Sequence, residues 1–234
     1  MPTTPGEVAS VSVHAPHTLL LISIDGARHD YLDRGCTPAL AALAARGALA
    51  RRLVPSFPTL TFPNHYTLVT GLHPDHHGVV HNTMRDDTRP GEVFSLSNPV
   101  ARDGFWWDGA EPLWITAERA GLRTATMFWP GSEAAIRGVR PSRWYTFSKH
   151  ISSRDRAEQV IAWLHEPEST RPALITLYFD VVDTAGHDHG PDSPEVNTAL
   201  REVDDALDLL VSALDRLGRR DSTDIVIVSD HGMS

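Results

Sequence analysis

Three continuously apolar runs lie far apart along the chain, and acidic or imidazole side chains follow each of them. Residues 18–24 (Thr-Leu-Leu-Leu-Ile-Ser-Ile) are apolar but for Thr18 and Ser23, and they turn β-branched toward the end. A run without polar alternation is the pattern of a strand covered on both faces, as in a parallel sheet. Residues 173–179 and 224–229 repeat it, and a further strand is expected near 122–128. Between these runs the apolar period lengthens to that of helices. Residues 153–165 align Ala157, Val160, Ile161 and Leu164, and residues 194–217 align Leu200, Val203, Ala206, Leu207, Leu210, Leu214 and Leu217. Residues 37–46 read as a helix capped by Thr37, with Pro38 in the first helical position and Gly47 as its stop. Other helices are expected from about Pro63 or Asn64 to Gly71 and near 112–120. Residues 82–111 carry little regular patterning and read as a loop-rich excursion.

Strands alternating with helices predict an α/β fold: a mostly parallel central sheet flanked by helices, with ligands gathered beyond the C-terminal strand ends. The acidic residues fall at those ends. Asp25 follows the first run, Asp183 stands just beyond the second, and Asp230 follows the third. A chain of 234 residues fits one domain with a sizeable core. No run reaches the roughly 18 apolar residues that cross a bilayer, so no membrane span is expected. Residues 1–17 lack a basic start and an apolar core, and read as a disordered leader rather than a secretion signal. The chain stops at Ser234, within a metal-binding turn, which suggests a C-terminally incomplete fold.

A net charge of −9 argues against a nucleic-acid scaffold, although a bound cation can reverse the field locally and admit a phosphate. Cys36 is the single cysteine, so no internal disulfide forms and the redox compartment is not readable.

The candidate chemistry is metal-assisted phosphoryl transfer. Asp25 at a strand end either caps the following turn or ligates a metal. Thr61 precedes a helix, where free N–H groups and the dipole favour a phosphate; it is either an N-cap or a nucleophile whose proton a base or metal removes. Asp183 and His187 are four residues apart, so one helical turn or a tight loop puts both on one side as a zinc pair, with Asp188 and His189 behind them. Asp230 and His231 end a strand whose alternation Gly232 allows to break. His65, His73, His76, His77 and His81 are irregularly spaced and read as structural or surface residues.

These motifs resemble the nucleotide pyrophosphatase/phosphodiesterase family of the alkaline phosphatase superfamily. The resemblance is carried in order by Ser23-Ile24-Asp25-Gly26, Thr61-Phe62-Pro63-Asn64-His65, Gly71 to Gly78, His81-Asn82-Thr83-Met84, Asp183 to Gly190 and Ser229-Asp230-His231-Gly232. It covers about residues 18–234, which it marks as the N-terminal part of a phosphodiesterase catalytic domain with an alkaline-phosphatase-like fold. It implies two zinc ions. Asp25, Thr61, Asp230 and His231 would serve one, and Asp183 and His187 the other. Thr61 would be the nucleophile of a phosphothreonine mechanism, and Asn82 with the Thr61 N–H would stabilise a phosphoryl oxygen. Phe62 and Tyr178 would flank a nucleotide base, with Phe147 as a third candidate. The substrate implied is a small phosphodiester, of nucleotide type. Family members mostly act outside the cytoplasm.

The family draws a further histidine for its second zinc from beyond the Asp-His pair, and the sequence ends before reaching it; His189 is the available substitute. Two other readings stay open: a truncated zinc-binding fragment with little catalysis, and a phosphomonoesterase or phosphonate hydrolase of the same superfamily. Phe62 after Thr61, with no arginine beside it, argues against the monoesterase, although Arg85 or Lys149 could supply a basic group.

Overall fold

The computed structural model describes residues 17–234. The strands are β1 (Thr18–Ile24), β2 (Thr83–Met84), β3 (Phe94–Ser95), β4 (Thr124–Met127), β5 (Arg143–Trp144), β6 (Leu174–Phe179) and β7 (Thr223–Val228). The helices are α1 (Pro38–Arg46), α2 (Thr61–Thr70), α3 (Pro74–His77), α4 (Leu113–Arg119), α5 (Ser153–Leu164), α6 (Val181–His189) and α7 (Pro194–Arg216). Residues 1–16 of the expected leader lie outside the described residues.

Five strands form a parallel sheet in the order β5-β4-β6-β1-β7. β1 lies between β6 and β7, and its residues serve both faces. Leu20, Ile22 and Ile24 enter a core built with α5 and α7 through Val160, Leu164, Val203, Leu207 and Leu210. Leu21 points the other way, onto Tyr66 and Val69 of α2 and Trp114 and Ile115 of α4. Two-sided coverage is why β1 and β6 read as unbroken apolar runs. The register pairs Ile24 with Phe179 and Ser23 with Val228. The residues that follow these three strands therefore emerge side by side at one sheet edge.

Several local expectations differ from the structure. Thr37 occupies the N-cap position of α1 but makes no capping hydrogen bond. The Ala39 and Leu40 N–H groups donate instead to the Asp204 carboxylate of α7, at 2.9 and 2.8 Å. A carboxylate offers more to the positive end of a helix than a neutral hydroxyl does. α2 begins at Thr61, two or three residues earlier than expected, with Pro63 tolerated in the first turn because its missing N–H has no helical partner there. The 82–111 segment is more than an excursion: β2 pairs with β3, and Phe94, Trp106 and Trp107 are buried in the second core.

Candidate active site

The turn after β1 is the meeting point. Gly26 has φ +69°, and a Cβ there would lie 2.9 Å from the Asp183 Cα. Only glycine satisfies both conditions, so the β1 turn can press against the start of α6. The Gly26 N–H also donates to Oδ1 of Asp230 at 3.2 Å. Backbone packing thus brings Asp25, Asp183 and Asp230 together from three strand ends.

The side chains converge further. Asp25 is buried, and its Oδ1 lies 3.4 Å from Nε2 of His231. The same Nε2 is 3.2 Å from Oδ2 of Asp230 and 3.4 Å from Oγ1 of Thr61. Thr61 is the first residue of α2 rather than its cap, so its hydroxyl is free to face the carboxylates. Asp183 and His187 share one face of α6, with Oδ1 and Nε2 3.4 Å apart; the His187 side chain is largely exposed. Of the two geometries open to that pair, the structure takes the helix. Asp188 and His189 are exposed on the same helix and join neither cluster described next.

Two sets of side chains hold ligand atoms within 4.8 Å of one another: Asp25, Asp183 and His231, and Asp25, His65 and Asp230. Asp25 Oδ1, Asp183 Oδ1 and Asp230 Oδ2 are buried with no hydrogen-bond partner among the described residues. Burial, then the neighbouring Asp230 and Asp183 charges, push the Asp25 carboxyl well above the usual range. Burial also raises Asp183, against the opposing pull of His187 and His231. At Asp230 burial acts upward too, but His65 and His231 together outweigh it and the net shift is downward. Converging carboxylates with unpaired buried oxygens, ringed by imidazoles, are unfavourable alone and suit a divalent cation bound by oxygen and nitrogen.

Asn82 accepts a 2.9 Å hydrogen bond from the Phe62 N–H at its Oδ1. That anchors the amide beside the start of α2 and leaves its NH2 available to a ligand. Phe62 is half-buried against Phe94 and Trp107, at centroid distances of 5.5 and 5.7 Å. Phe147 remains over a third exposed, edge-on to Phe128 at 5.1 Å. Tyr178 is the correction. Its ring is only 8% exposed, its edge meets His65 at 5.1 Å, and its hydroxyl donates to Asp25 Oδ2 at 2.6 Å. A ring enclosed in this way, with its hydroxyl committed to a carboxylate, has no face to offer a base.

Residues 19–234 match the family model for type I phosphodiesterase/nucleotide pyrophosphatase. The chain belongs to that family. Among its relatives, an uncharacterized pyrophosphatase/phosphodiesterase of Schizosaccharomyces pombe is 43% identical over 93% of this chain and 45% of its own length. Human ectonucleotide pyrophosphatase/phosphodiesterase family member 1 is 38% identical over 92% of this chain and 23% of its own. The murine family member 5, solved as an inactive threonine-to-alanine variant in complex with AMP, superposes with a TM-score of 0.86 at 34% identity, covering 92% of this chain and 57% of that one. The chain therefore spans about half or less of the length of these type I phosphodiesterase relatives. Their shared fold accounts for the parallel sheet whose C-terminal edge carries the carboxylate cluster.

His65 is the residue that sequence reasoning undervalued. It is fully buried, and its Nδ1 is 3.3 Å from Asp230 Oδ2. The available signal was its spacing from Thr61, four residues along the same helix and so on the same face. His73, His76 and His81 are exposed, in keeping with a surface role.

Proposed function

We propose that this chain carries the nucleophile and most of the metal ligands of a zinc-dependent hydrolase acting on nucleotide-type phosphodiester or pyrophosphate bonds. The observation that carries this reading is the convergence of the Thr61 hydroxyl with His231, which in turn contacts Asp25 and Asp230. The unpaired buried oxygens of Asp25, Asp183 and Asp230 fit a cation centre. Asp25, Asp230 and His231, with Thr61, would hold one zinc, and Asp183 with His187 would hold the other. When bound, zinc supplies Lewis acidity that favours the ionised forms of a hydroxyl and of a water and neutralises phosphate charge.

Within that frame the chain's own groups act in two in-line displacements. Oγ1 of Thr61 bonds to phosphorus as the bond to the leaving oxygen breaks and its proton passes to that departing oxygen, so the enzyme carries a phosphothreonine on which the nucleoside is still esterified. Water then attacks the same phosphorus from the opposite side, the P–Oγ1 bond breaks, and Thr61 regains its proton. Asn82, oriented by its bond from the Phe62 N–H, aims its amide donors at a non-bridging oxygen on which charge grows. Phe62 and Phe147 are the aromatic groups with surface left to flank a base.

The AMP-bound murine relative, inactive after loss of one threonine, supports both the nucleotide substrate and the threonine nucleophile. The test is a comparison of turnover on a nucleotide diester and on a simple phosphomonoester under the same zinc concentration. The diester should be preferred; equal or faster monoester turnover would refute the diesterase reading.

A further inference from the structure

The imidazole of His65 lies beneath the carboxylate cluster with both nitrogens engaged. Nδ1 is 2.8 Å from the main-chain oxygen of Thr61 and 3.3 Å from Oδ2 of Asp230. Nε2 is 2.8 Å from Oγ of Ser23. A carbonyl oxygen can only accept, so Nδ1 carries the proton, and in the neutral ring Nε2 then accepts from the Ser23 hydroxyl. The ring is locked in place by edge contacts with Trp129 and Tyr178, each at 5.1 Å, and Trp129 Nε1 donates to the His65 carbonyl at 3.1 Å. No part of His65 reaches solvent.

We propose that His65 is a positioning residue whose Nδ1–H holds the Thr61 carbonyl while the same ring edge stands 3.3 Å from the Asp230 carboxylate without completing a hydrogen bond to it, with Ser23 of β1 fixing its tautomer. This rests on the reading of Thr61 as nucleophile and Asp230 as metal ligand. Although His65 belongs to a set with ligand-like spacing, both of its nitrogens are committed to protein atoms, so it orients a ligand rather than acting as one. The connection links α2, β1 and the end of β7, and sets how far the Thr61 hydroxyl stands from the cation centre.

Two substitutions separate positioning from simple space filling. His65→Asn keeps an amide N–H near the place of Nδ1 and so retains the bond to the Thr61 carbonyl. His65→Gln puts its amide near Nε2, retaining Ser23 contact but losing that bond. Zinc affinity of the purified chain is read by chelator competition with zinc alone, thermal melting confirms folding, and histidine 15N spectra report the tautomer. Positioning predicts that His65→Gln weakens zinc binding by about 10–100-fold while His65→Asn stays within about threefold of wild type. It also predicts a wild-type resonance pattern with the proton on Nδ1, which Ser23→Ala makes less exclusive. Equal effects of the two substitutions in folded protein, or a proton on Nε2 in the wild type, would overturn it. A wild-type chain that binds no zinc would instead refute the metal-centred function, and the tautomer would still decide whether His65 holds Thr61.

Discussion

The Tyr178 hydroxyl donates a 2.6 Å hydrogen bond to Oδ2 of Asp25, across two parallel strands that end side by side. The bond holds one oxygen of a buried carboxylate and leaves the other turned toward His231. Tyr178→Phe removes the donor and leaves that oxygen unpaired in a dry site, at a cost of about 1–3 kcal/mol for a buried polar group left unsatisfied. Chemical denaturation of the zinc-free protein measures it. Since Tyr178 does not flank the base, turnover of a nucleotide diester and of a non-nucleotide aryl diester should fall by the same factor. A loss confined to the nucleotide substrate would restore Tyr178 as a base platform.

Thr61 and Asp230 should separate under mutation. Thr61→Ala removes the nucleophile without removing a carboxylate charge, so turnover should fall by about a thousandfold or more while zinc binding is nearly intact. Asp230→Asn removes a ligand charge and should reduce both together. Steady-state kinetics beside zinc titration checks the pair, and near-normal turnover by Thr61→Ala would refute the assigned nucleophile.

Asp204 caps α1 from across the fold, accepting from the Ala39 and Leu40 N–H groups. Asp204→Ala should destabilise the protein by about 1–2 kcal/mol, whereas Thr37→Ala should cost little by comparison. Urea denaturation of both variants makes the comparison directly.

His77 gives the stability a pH dependence. Burial, chiefly, pushes its imidazole down from 6.5 to about 4. Its Nδ1 accepts from the Val79 N–H, and its Nε2 contacts the Thr67 hydroxyl. As pH falls below 6.5 the unfolded chain takes the proton first, so the stability contributed by neutral His77 is full above 6.5 and is lost as pH drops toward 4. The slope from this one group is at most about 1.4 kcal/mol per pH unit. His77→Asn should flatten the profile between these limits, as read from denaturation midpoints at pH 7 and pH 5.

What the sequence made legible was whatever local chemistry decides. β1 and β6 are covered on both faces, and their unbroken apolar runs announce it, whereas β7 carries the same kind of run at the sheet edge with Val226 exposed. α7 shows its burial through a long stripe of leucines and valines. β5 was not legible, because two residues at a sheet edge carry no period. Nor was the Asp204 cap, which bridges positions 165 residues apart, beyond the reach of any local motif. At the site, Asp25, Thr61, Asp230 and His231 stood out because carboxylates and a histidine at strand ends need a common partner. Tyr178 was misread because an aromatic before an acidic motif can face a ligand or a neighbouring strand, and only the β1–β6 register, which sets it beside Ser23, decides. His65 hid among four other histidines, and although His77 is as deeply buried, only His65 lies against Thr61 and Asp230.

On the proposed function, Thr61 takes up the substrate phosphorus at a zinc-dependent centre formed by Asp25, Asp183, Asp230 and His231. The most direct measurement is to incubate the purified chain with a chromogenic nucleotide phosphodiester, with zinc or with chelator, quench rapidly and map nucleotidylated peptides by mass spectrometry. The expected result is a nucleotidyl group on Thr61 that requires zinc, together with chromophore release that chelator stops. Chromophore release that survives chelator, or proceeds with Thr61 never modified, would contradict it.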